Sequence, residues 1–232
     1  YLVTVTISDG VNTGATISYT VSVTDANDQT PTYSATDTTP NINEGTTAVE
    51  TSIAITDTDT GDSNTCTLAG DDSEDFTCTV TATAYTLAFT SAPDYETPGS
   101  DASSNDYAVT VTISDGTNTG ATISYTVTVD DTNDQTPTYS SSDTTPNIDE
   151  GTTAIETLTV TDTDSGDVNA CTLAGDDSED FTCTVSGDSV SLAFTSAPDY
   201  ETPGSDASSN DYAVTVTISD GTNTGSTISY TV

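Results

Sequence analysis

The chain has 232 residues, with 38 Asp and Glu residues and no Lys, Arg or His, so its formal net charge at pH 7 is -38. Ion pairs between side chains are therefore impossible, and each carboxylate must face water, accept backbone N–H groups or bind a cation. Nucleic acids and anionic membrane surfaces are excluded as electrostatic partners, because both are bound through Lys and Arg. No apolar run approaches the ~20 residues of a membrane helix, so we expect no membrane segment within this sequence.

Internal repeats dominate the sequence. The string VTVTISDG occurs at 3–10, 109–116 and 214–221, which sets a spacing of 105 or 106 residues. A unit of that length is too long for a solenoid repeat and matches a small independent domain. We expect three parts: the last strands and linker of one repeat at 1–29, a complete repeat with its linker at 30–135, and a repeat without its following linker at 136–232.

The first 21 residues nearly repeat the last 21 residues of the chain. Residues 1–21 match residues 212–232 at all but three positions. Alternating apolar and polar residues predict two strands here, the last two of a β-sandwich. Because a lone hairpin is at best marginally stable in water, we expect the chain to be a window on a longer protein.

Within the complete repeat, apolar residues recur at every second position, which is typical of strands with one buried face. Short alternating runs at 76–80 and 87–89 precede longer ones at 107–114 and 121–129, and clusters of Gly, Asn, Asp and Pro separate them. Thr and Ser fill the opposite strand faces. Each unit contains about seven such strands and no helical pattern, which predicts an all-β fold built from β-sandwiches.

The four cysteines form two pairs, one in each repeat. All four lie on the apolar phase of predicted strands. We predict disulfides Cys66–Cys78 and Cys171–Cys183 across the core of each sandwich, with buried free thiols as the alternative. A zinc site is disfavoured because each unit supplies only two Cys and no His. Disulfides predict a location outside the cytosol, in the extracellular space or at the cell surface.

Acidic residues and Asn recur at fixed places in each unit, in motifs of the forms DxDxG, DYE and DxND. In an extended segment, residues two apart point the same way, so these motifs present paired oxygens on one side. Calcium takes about six to eight hard oxygen ligands, which is more than one motif supplies. Several motifs must therefore converge on each ion. The alternative is a solvated acidic surface, which predicts no ordered motifs.

In order and separation, these motifs resemble the cadherin repeat. The matching elements are the turn at Glu44 and Glu150, the DxDxG and DYE motifs, and the linker DxNDQxP. The resemblance covers nearly the whole chain. It implies tandem seven-stranded Greek-key β-sandwiches of the cadherin or immunoglobulin-like type, joined end to end through linkers that bind Ca2+. Gln29 and Gln135 depart from the family pattern, which has Asn there, but each keeps a side-chain amide.

Carried over position by position, the resemblance implies three sets of calcium ligands. One set has all its parts in the chain: Glu44, Asp94, Glu96, Asp131, Asn133, Asp134, Asp162, Asp164 and Asp220. A second set joins the first linker to its downstream repeat: Asp25, Asn27, Asp28, Asp57, Asp59 and Asp115. A third set has no linker in this sequence: Glu150, Asp199 and Glu201. A backbone carbonyl near Asn169 is expected to complete the first set.

The resemblance and the near identity of the repeats predict a calcium-rigidified extracellular array that forms a stalk or fibre, with further copies of the same repeat as neighbours. The alternative is a cell-adhesion or glycan-binding array, but the most divergent stretch, 81–86 against 186–191, offers only one aromatic residue, Tyr85. No enzyme is expected, because only carboxylate pairs could act and each recurs at a calcium position. The Thr and Ser faces predict either a plain hydrated surface or O-linked glycans.

Overall fold

The computed structural model of the protein describes residues 1–61, 63–166 and 168–232. These residues form strands β1 to β16 and two single 3₁₀ turns. No helix in this described part of the chain has the length and apolar character needed to cross a membrane. The chain divides into two compact units. The first consists of Tyr1–Pro93 with Gly99–Val129, and the second of Asp94–Pro98 with Asp130–Val232.

The first unit begins with a two-stranded antiparallel hairpin, β1 (Leu2–Ser8) and β2 (Thr13–Thr20), as the sequence predicts. Every residue of both strands is exposed. Ile7 is 75% exposed, whereas Ile113, which stands at the same place in the complete repeat, is 0% exposed. The hairpin thus forms with its apolar face uncovered.

The rest of the first unit is a sandwich of two four-stranded sheets. Its strands are β3 (Thr32–Tyr33), β4 (Asn41–Asn43), β5 (Ala48–Thr56), β6 (Thr65–Ala69), β7 (Phe76–Val80), β8 (Ala84–Phe89), β9 (Asp106–Ser114) and β10 (Ile123–Asp130). One sheet has the order β4-β10-β9-β6 and the other β3-β5-β8-β7. Because β3 and β4 are short, consecutive and in opposite sheets, they are two parts of one split first strand. The prediction of about seven strands is confirmed for this repeat.

Period-two alternation builds the core of this sandwich. Val111 and Ile113 of β9 face Tyr85 and Leu87 of β8 from the opposite sheet, and all four side chains are 0% exposed. Burying one such side chain stabilises the fold by about 1.5–3 kcal/mol. The intervening Thr residues of both strands lie on the outer faces.

The second unit contains a sandwich of two three-stranded sheets. Its strands are β11 (Ala154–Thr159), β12 (Ala170–Ala174), β13 (Phe181–Ser186), β14 (Ser189–Phe194), β15 (Ala213–Ser219) and β16 (Ile228–Thr231). The sheets have the orders β11-β14-β13 and β12-β15-β16. The segment that precedes β11 adds backbone bonds at each sheet, between Thr138 and Thr161 and from Thr231 N–H to the Thr144 carbonyl. It corresponds to the split first strand of the other repeat.

Both predicted disulfides, Cys66–Cys78 and Cys171–Cys183, are present, and no cysteine is free. Each joins the edge strands of the two sheets, β6 to β7 and β12 to β13. All four cysteines are half-buried. As predicted, the bonds cross from one sheet to the other, and they do so at one edge of each sandwich, because these inward-facing residues lie on the outermost strands.

Candidate metal centres

The first linker, residues 24–29, is attached to the DxDxG loop of the repeat that follows it. The backbone N–H of Thr60 donates to Asp25 Oδ2 at 2.6 Å, and the Thr60 hydroxyl donates to the same oxygen at 2.9 Å. In return, the N–H groups of Asp28 and Gln29 donate to Asp59 Oδ2 at 2.8 and 2.7 Å. These bonds, the Thr60 N–H first, lower the pKa of the Asp25 carboxyl below its usual value.

The second linker makes the same attachment inside the second unit. The N–H of Ser165 donates to Asp131 Oδ2 at 2.6 Å, and the N–H of Gln135 donates to Asp164 Oδ2 at 2.8 Å. In both linkers, one carboxylate oxygen of each Asp holds the backbone in place. The same local sequence therefore produces the same linker attachment in two separate parts of the chain.

Other oxygens of the same motifs are shielded from water without a hydrogen-bond donor. Within the described residues, they include Asp57 Oδ2, Asp131 Oδ1, Asp162 Oδ2 and Asp220 Oδ2, and the amide oxygens of Asn64 and Asn169 near these motifs are shielded in the same way. Leaving such an oxygen buried and unpaired costs about 1–3 kcal/mol, and more for a charged group. A bound cation would remove that cost. The Asn169 region, from which one ligand was expected, thus supplies a shielded side-chain oxygen.

Among the described residues of the second unit are two groups of three carboxylates, and in each group one oxygen per residue lies within 4.8 Å of the others. The partly buried group consists of Glu96, Asp131 and Asp164, and the exposed group of Glu150, Asp199 and Glu201. No basic side chain exists in the chain to neutralise them. Such all-oxygen, multiply charged donor sets fit Ca2+, which prefers carboxylate and carbonyl oxygens.

Two predicted ligands, Asp115 and Asp220, occupy equivalent hairpin turns and are each only 4% exposed. Burial alone would raise the pKa of both carboxyls, but N–H donors in the turns hold each pKa below its usual value. For Asp115 the donors are the N–H groups of Asn118 and Thr117. Both side chains are therefore carboxylates at neutral pH, as a metal ligand must be.

The remaining predicted ligands are placed as follows. Glu44 is 7% exposed in the first unit. Asp57 Oδ1 accepts the Asp59 N–H at 3.1 Å, and Asp162 Oδ1 accepts the Thr163 N–H at 2.9 Å. Asp94 Oδ1 accepts the Thr97 N–H, and Asp199 Oδ1 accepts the N–H groups of Glu201 and Thr202.

The predicted ligands of the linkers bond to side-chain amides. Asn27 Oδ1 and Asn133 Oδ1 accept amide N–H groups of Asn118 and Asn223. Asp28 Oδ1 and Asp134 Oδ1 accept side-chain N–H groups of Gln29 and Gln135, each at 2.6 Å.

Sequence reasoning missed three kinds of residue at these centres. Thr60 and Ser165 cap the linker Asp, and Asn118 and Asn223 contact the linker from the hairpin turn. The two linker glutamines were noted only as departures from the family pattern, yet the amide nitrogen of each donates to the neighbouring linker Asp. The recurrence of DGxN at 9–12, 115–118 and 220–223 was the one available signal for the turn asparagines.

No protein-family model and no curated protein sequence matches this chain. Solved structures do match. Human protocadherin-24 EC1-2 superposes with a TM-score of 0.60 at 19% identity, covering 87% of this chain and 95% of that one. The chain has the fold of cadherin extracellular repeats. Mouse cadherin-23 EC22-24 matches with a TM-score of 0.55 at 21% identity over 94% of this chain and 68% of that one.

A cis-dimer structure of protocadherin gammaB7 EC3-6 matches with a TM-score of 0.59 at 20% identity. The match covers 97% of this chain but only 55% of that one, so the chain spans about half the length of that cadherin-fold structure. The cadherin-like β-sandwich is thereby established at the level of the fold. The resemblance seen in the sequence motifs is confirmed as a cadherin-like repeat.

Proposed function

We propose that this chain is a calcium-stiffened array of extracellular cadherin-like repeats that serves as a structural stalk or fibre. The observation that carries the proposal is the set of shielded, unpaired carboxylate oxygens at the linkers, led by Asp131 Oδ1, Asp162 Oδ2 and Asp220 Oδ2. In a chain without basic side chains, a divalent cation is the partner that these oxygens fit. Ca2+ would be held by the ligand sets predicted from the sequence.

The extracellular location rests on the two disulfides. Stable structural disulfides persist in oxidising compartments and are rare in the cytosol. Each repeat has one disulfide, at the equivalent place, which is typical of disulfides that stabilise a fold. The domain boundaries predicted from the sequence, 1–29, 30–135 and 136–232, remain part of the proposal.

A structural role is favoured over an adhesive one by the residue Tyr85. It is the one aromatic side chain in the most divergent stretch between the repeats, yet it is 0% exposed. Its hydroxyl bonds to the Tyr125 hydroxyl at 2.8 Å inside the sandwich. The stretch therefore offers no aromatic surface to a glycan or a partner protein. Near-identical repeats also suit a spacer, whose function is length.

Thr side chains pair with one another across the three hairpins that carry the DGxN turn. The hydroxyls of Thr6 and Thr16 lie 2.7 Å apart, those of Thr112 and Thr122 2.8 Å, and those of Thr217 and Thr227 3.0 Å. These pairs support the interpretation of the Thr faces as a self-bonded hydrated surface. An O-linked glycan coat would have to use other Thr and Ser hydroxyls, and intact mass before and after deglycosylation would report it.

Calcium titration followed by small-angle scattering tests the proposed function. We expect the chain to bind several Ca2+ ions, and we expect an excess of chelator to increase the spread of interdomain distances while strand content, measured by circular dichroism, stays constant. The physical reason is that removing the ions leaves the linker carboxylates to repel one another. No calcium binding, or a scattering profile that chelator does not change, would refute the proposal. Discrete calcium-dependent dimers in sedimentation would favour the adhesive alternative.

A further inference from the structure

The hairpin turn DGxN occurs three times in the chain, at 9–12, 115–118 and 220–223. In each copy the N–H of the Asn donates to Oδ1 of the Asp at 2.6 Å. The N–H of the Asp also donates to the carbonyl of the Asn, at 3.2 to 3.3 Å. All three turns are thus closed by the same backbone and carboxylate bonds. The side-chain amide of the Asn is not needed to form the turn.

What the amide of the Asn contacts differs between the copies. Asn12 belongs to the uncovered hairpin, and its Nδ2 reaches only Asp9 Oδ2, at 3.5 Å. Asn118 Nδ2 donates to Asn27 Oδ1 at 2.9 Å and to the Gln29 carbonyl at 2.7 Å, both in the linker. The amide that contacts only its own turn in the first hairpin therefore binds the linker in the complete repeat.

The second unit repeats this contact. Asn223 Nδ2 donates to Asn133 Oδ1 at 2.8 Å, across 90 positions of the chain. The exposure of the turn Asp also differs between the copies. Asp9, in the turn without a linker contact, is exposed, whereas Asp115 and Asp220 are each 4% exposed. Asp220 Oδ2 is left shielded and without a hydrogen-bond donor. Where the linker lies on the turn, the carboxylate is removed from water.

We propose that Asn118 and Asn223 are positioning residues of the metal centres. Each clamps a linker Asn, Asn27 or Asn133, beside a buried Asp, Asp115 or Asp220, so that oxygens from the linker and the turn are brought together before an ion arrives. The inference rests on the proposed calcium function, but the clamp itself is a protein contact. Groups that orient metal ligands are worth about 10–100-fold in metal affinity, and preorganisation reduces the cost of ordering the ligands on binding.

The test compares Asn223→Ala with Asn12→Ala, in the full chain. The control removes the same amide from the same turn where no linker lies on it. We expect Asn223→Ala to weaken the calcium affinity of one class of sites by about 10–100-fold, measured by competition with a calcium-indicator dye. In chelator, we expect faster hydrogen exchange at the Gln135 and Ser165 amides, which belong to the linker attachment. Asn12→Ala should leave both measurements unchanged.

The exchange measurement needs no metal, so it separates the clamp from the calcium function. If the wild-type chain binds no calcium, the proposed function fails and exchange alone judges the clamp. If it binds calcium and Asn223→Ala leaves either affinity or linker exchange as in wild type, the positioning role is wrong. Should the Ala variant lose strand content, Asn223→Leu replaces it, because it keeps a similar side-chain size, removes the N–H donor without adding a charged ligand and carries the same expectations.

Discussion

Two equivalent glutamates, Glu50 and Glu156, differ in their hydrogen bonding although their repeats are near copies. Glu156 Oε2 accepts the hydroxyl of Ser141 at 2.6 Å and that of Tyr230 at 2.5 Å, and Oε1 accepts the Ser142 N–H at 3.2 Å. Burial alone would raise its pKa, but these hydrogen bonds, led by that of Ser141, hold the pKa below its usual value.

Glu50 has the opposite shift. Ala35 stands where Ser141 stands in the other repeat, so the serine hydroxyl is missing. The Tyr125 hydroxyl, which corresponds to that of Tyr230, also bonds to Tyr85. Burial, and then the charge of Asp37, raise the pKa of Glu50 above its usual value. Differences between the repeats at neighbouring positions, Ala35 for Ser141 and Tyr85 for Val190, accompany the opposite responses of these two half-buried carboxylates to acid.

We therefore expect the two carboxyls to affect the acid stability of their repeats in opposite directions. Because the folded pKa of Glu156 is lowered, its stabilisation is present above its unfolded pKa and is lost as the pH falls through the folded pKa. Because the folded pKa of Glu50 is raised, its repeat gains stability as the pH falls from neutral through that pKa. Glu156→Gln should cost on the order of 1 kcal/mol at pH 7 and less in acid.

Glu50→Gln is the matched variant and should stabilise its repeat at pH 7 by removing a disfavoured charge. Calorimetric unfolding in chelator, at pH 7 and near pH 4, would measure both effects without a contribution from bound metal. The same direction of change in both variants would contradict the interpretation.

Among the elements, the edge strands β6 and β7 are held together by a disulfide. They are the outermost strands of their sheets, where backbone groups have a partner on one side only. The Cys66–Cys78 bond joins them across a separation of 12 residues, with 6.2 Å between the Cα atoms. The disulfide thus closes the open edge of the sandwich.

Replacing Cys66 and Cys78 by Ala should destabilise that sandwich by about 3 kcal/mol, because the bond no longer restricts the unfolded chain. The equivalent double variant, at Cys171 and Cys183, should lower the unfolding temperature of the other sandwich and leave the first unchanged. Calorimetry would resolve the two transitions. If one double variant destabilised both sandwiches equally, the two disulfides would not stabilise their sandwiches independently.

Thiol labelling of the denatured, unreduced wild-type chain should detect no free cysteine.

At the scale of the whole molecule, the net charge of -38 opposes any compact arrangement of carboxylates. Salt at physiological strength screens exposed charges over roughly 8 Å, but it screens shielded oxygens much less. The proposed calcium ions would therefore neutralise the shielded carboxylates at the linkers, which salt screens poorly. Elsewhere the charge keeps chains apart in solution.

Asp134→Ala should weaken calcium binding at the second linker by at least about 10-fold and leave both sandwiches folded, because the side chain is exposed and outside the cores. Glu74→Ala removes one negative charge from an exposed position that is not a predicted ligand, and is the control. Calcium titration and scattering would compare them. Equal effects of the two variants would mean that total charge, rather than the linker centre, governs binding.

The strands, the disulfide pairs and the cadherin-like repeat could be predicted from the sequence, because each depends on local periodicity or on motif spacing. Val111 and Cys66 face inward because side chains alternate along a strand, and that alternation can be recognised in the amino-acid sequence. Repetition helped, since every motif appears in more than one copy. The acidic motifs were recognisable for the same reason.

Only the tertiary structure decided how those motifs are used. The sequence does not tell Asp9 from Asp220, since both precede Gly in the same turn, yet one is exposed and the other is 4% exposed. Nor does it show that Asn223 reaches Asn133, or that the disulfides lie at a sandwich edge. These facts depend on which chain segment covers a turn and on the order of strands in a sheet. Both are set by contacts between residues far apart in the chain, which local spacing does not encode.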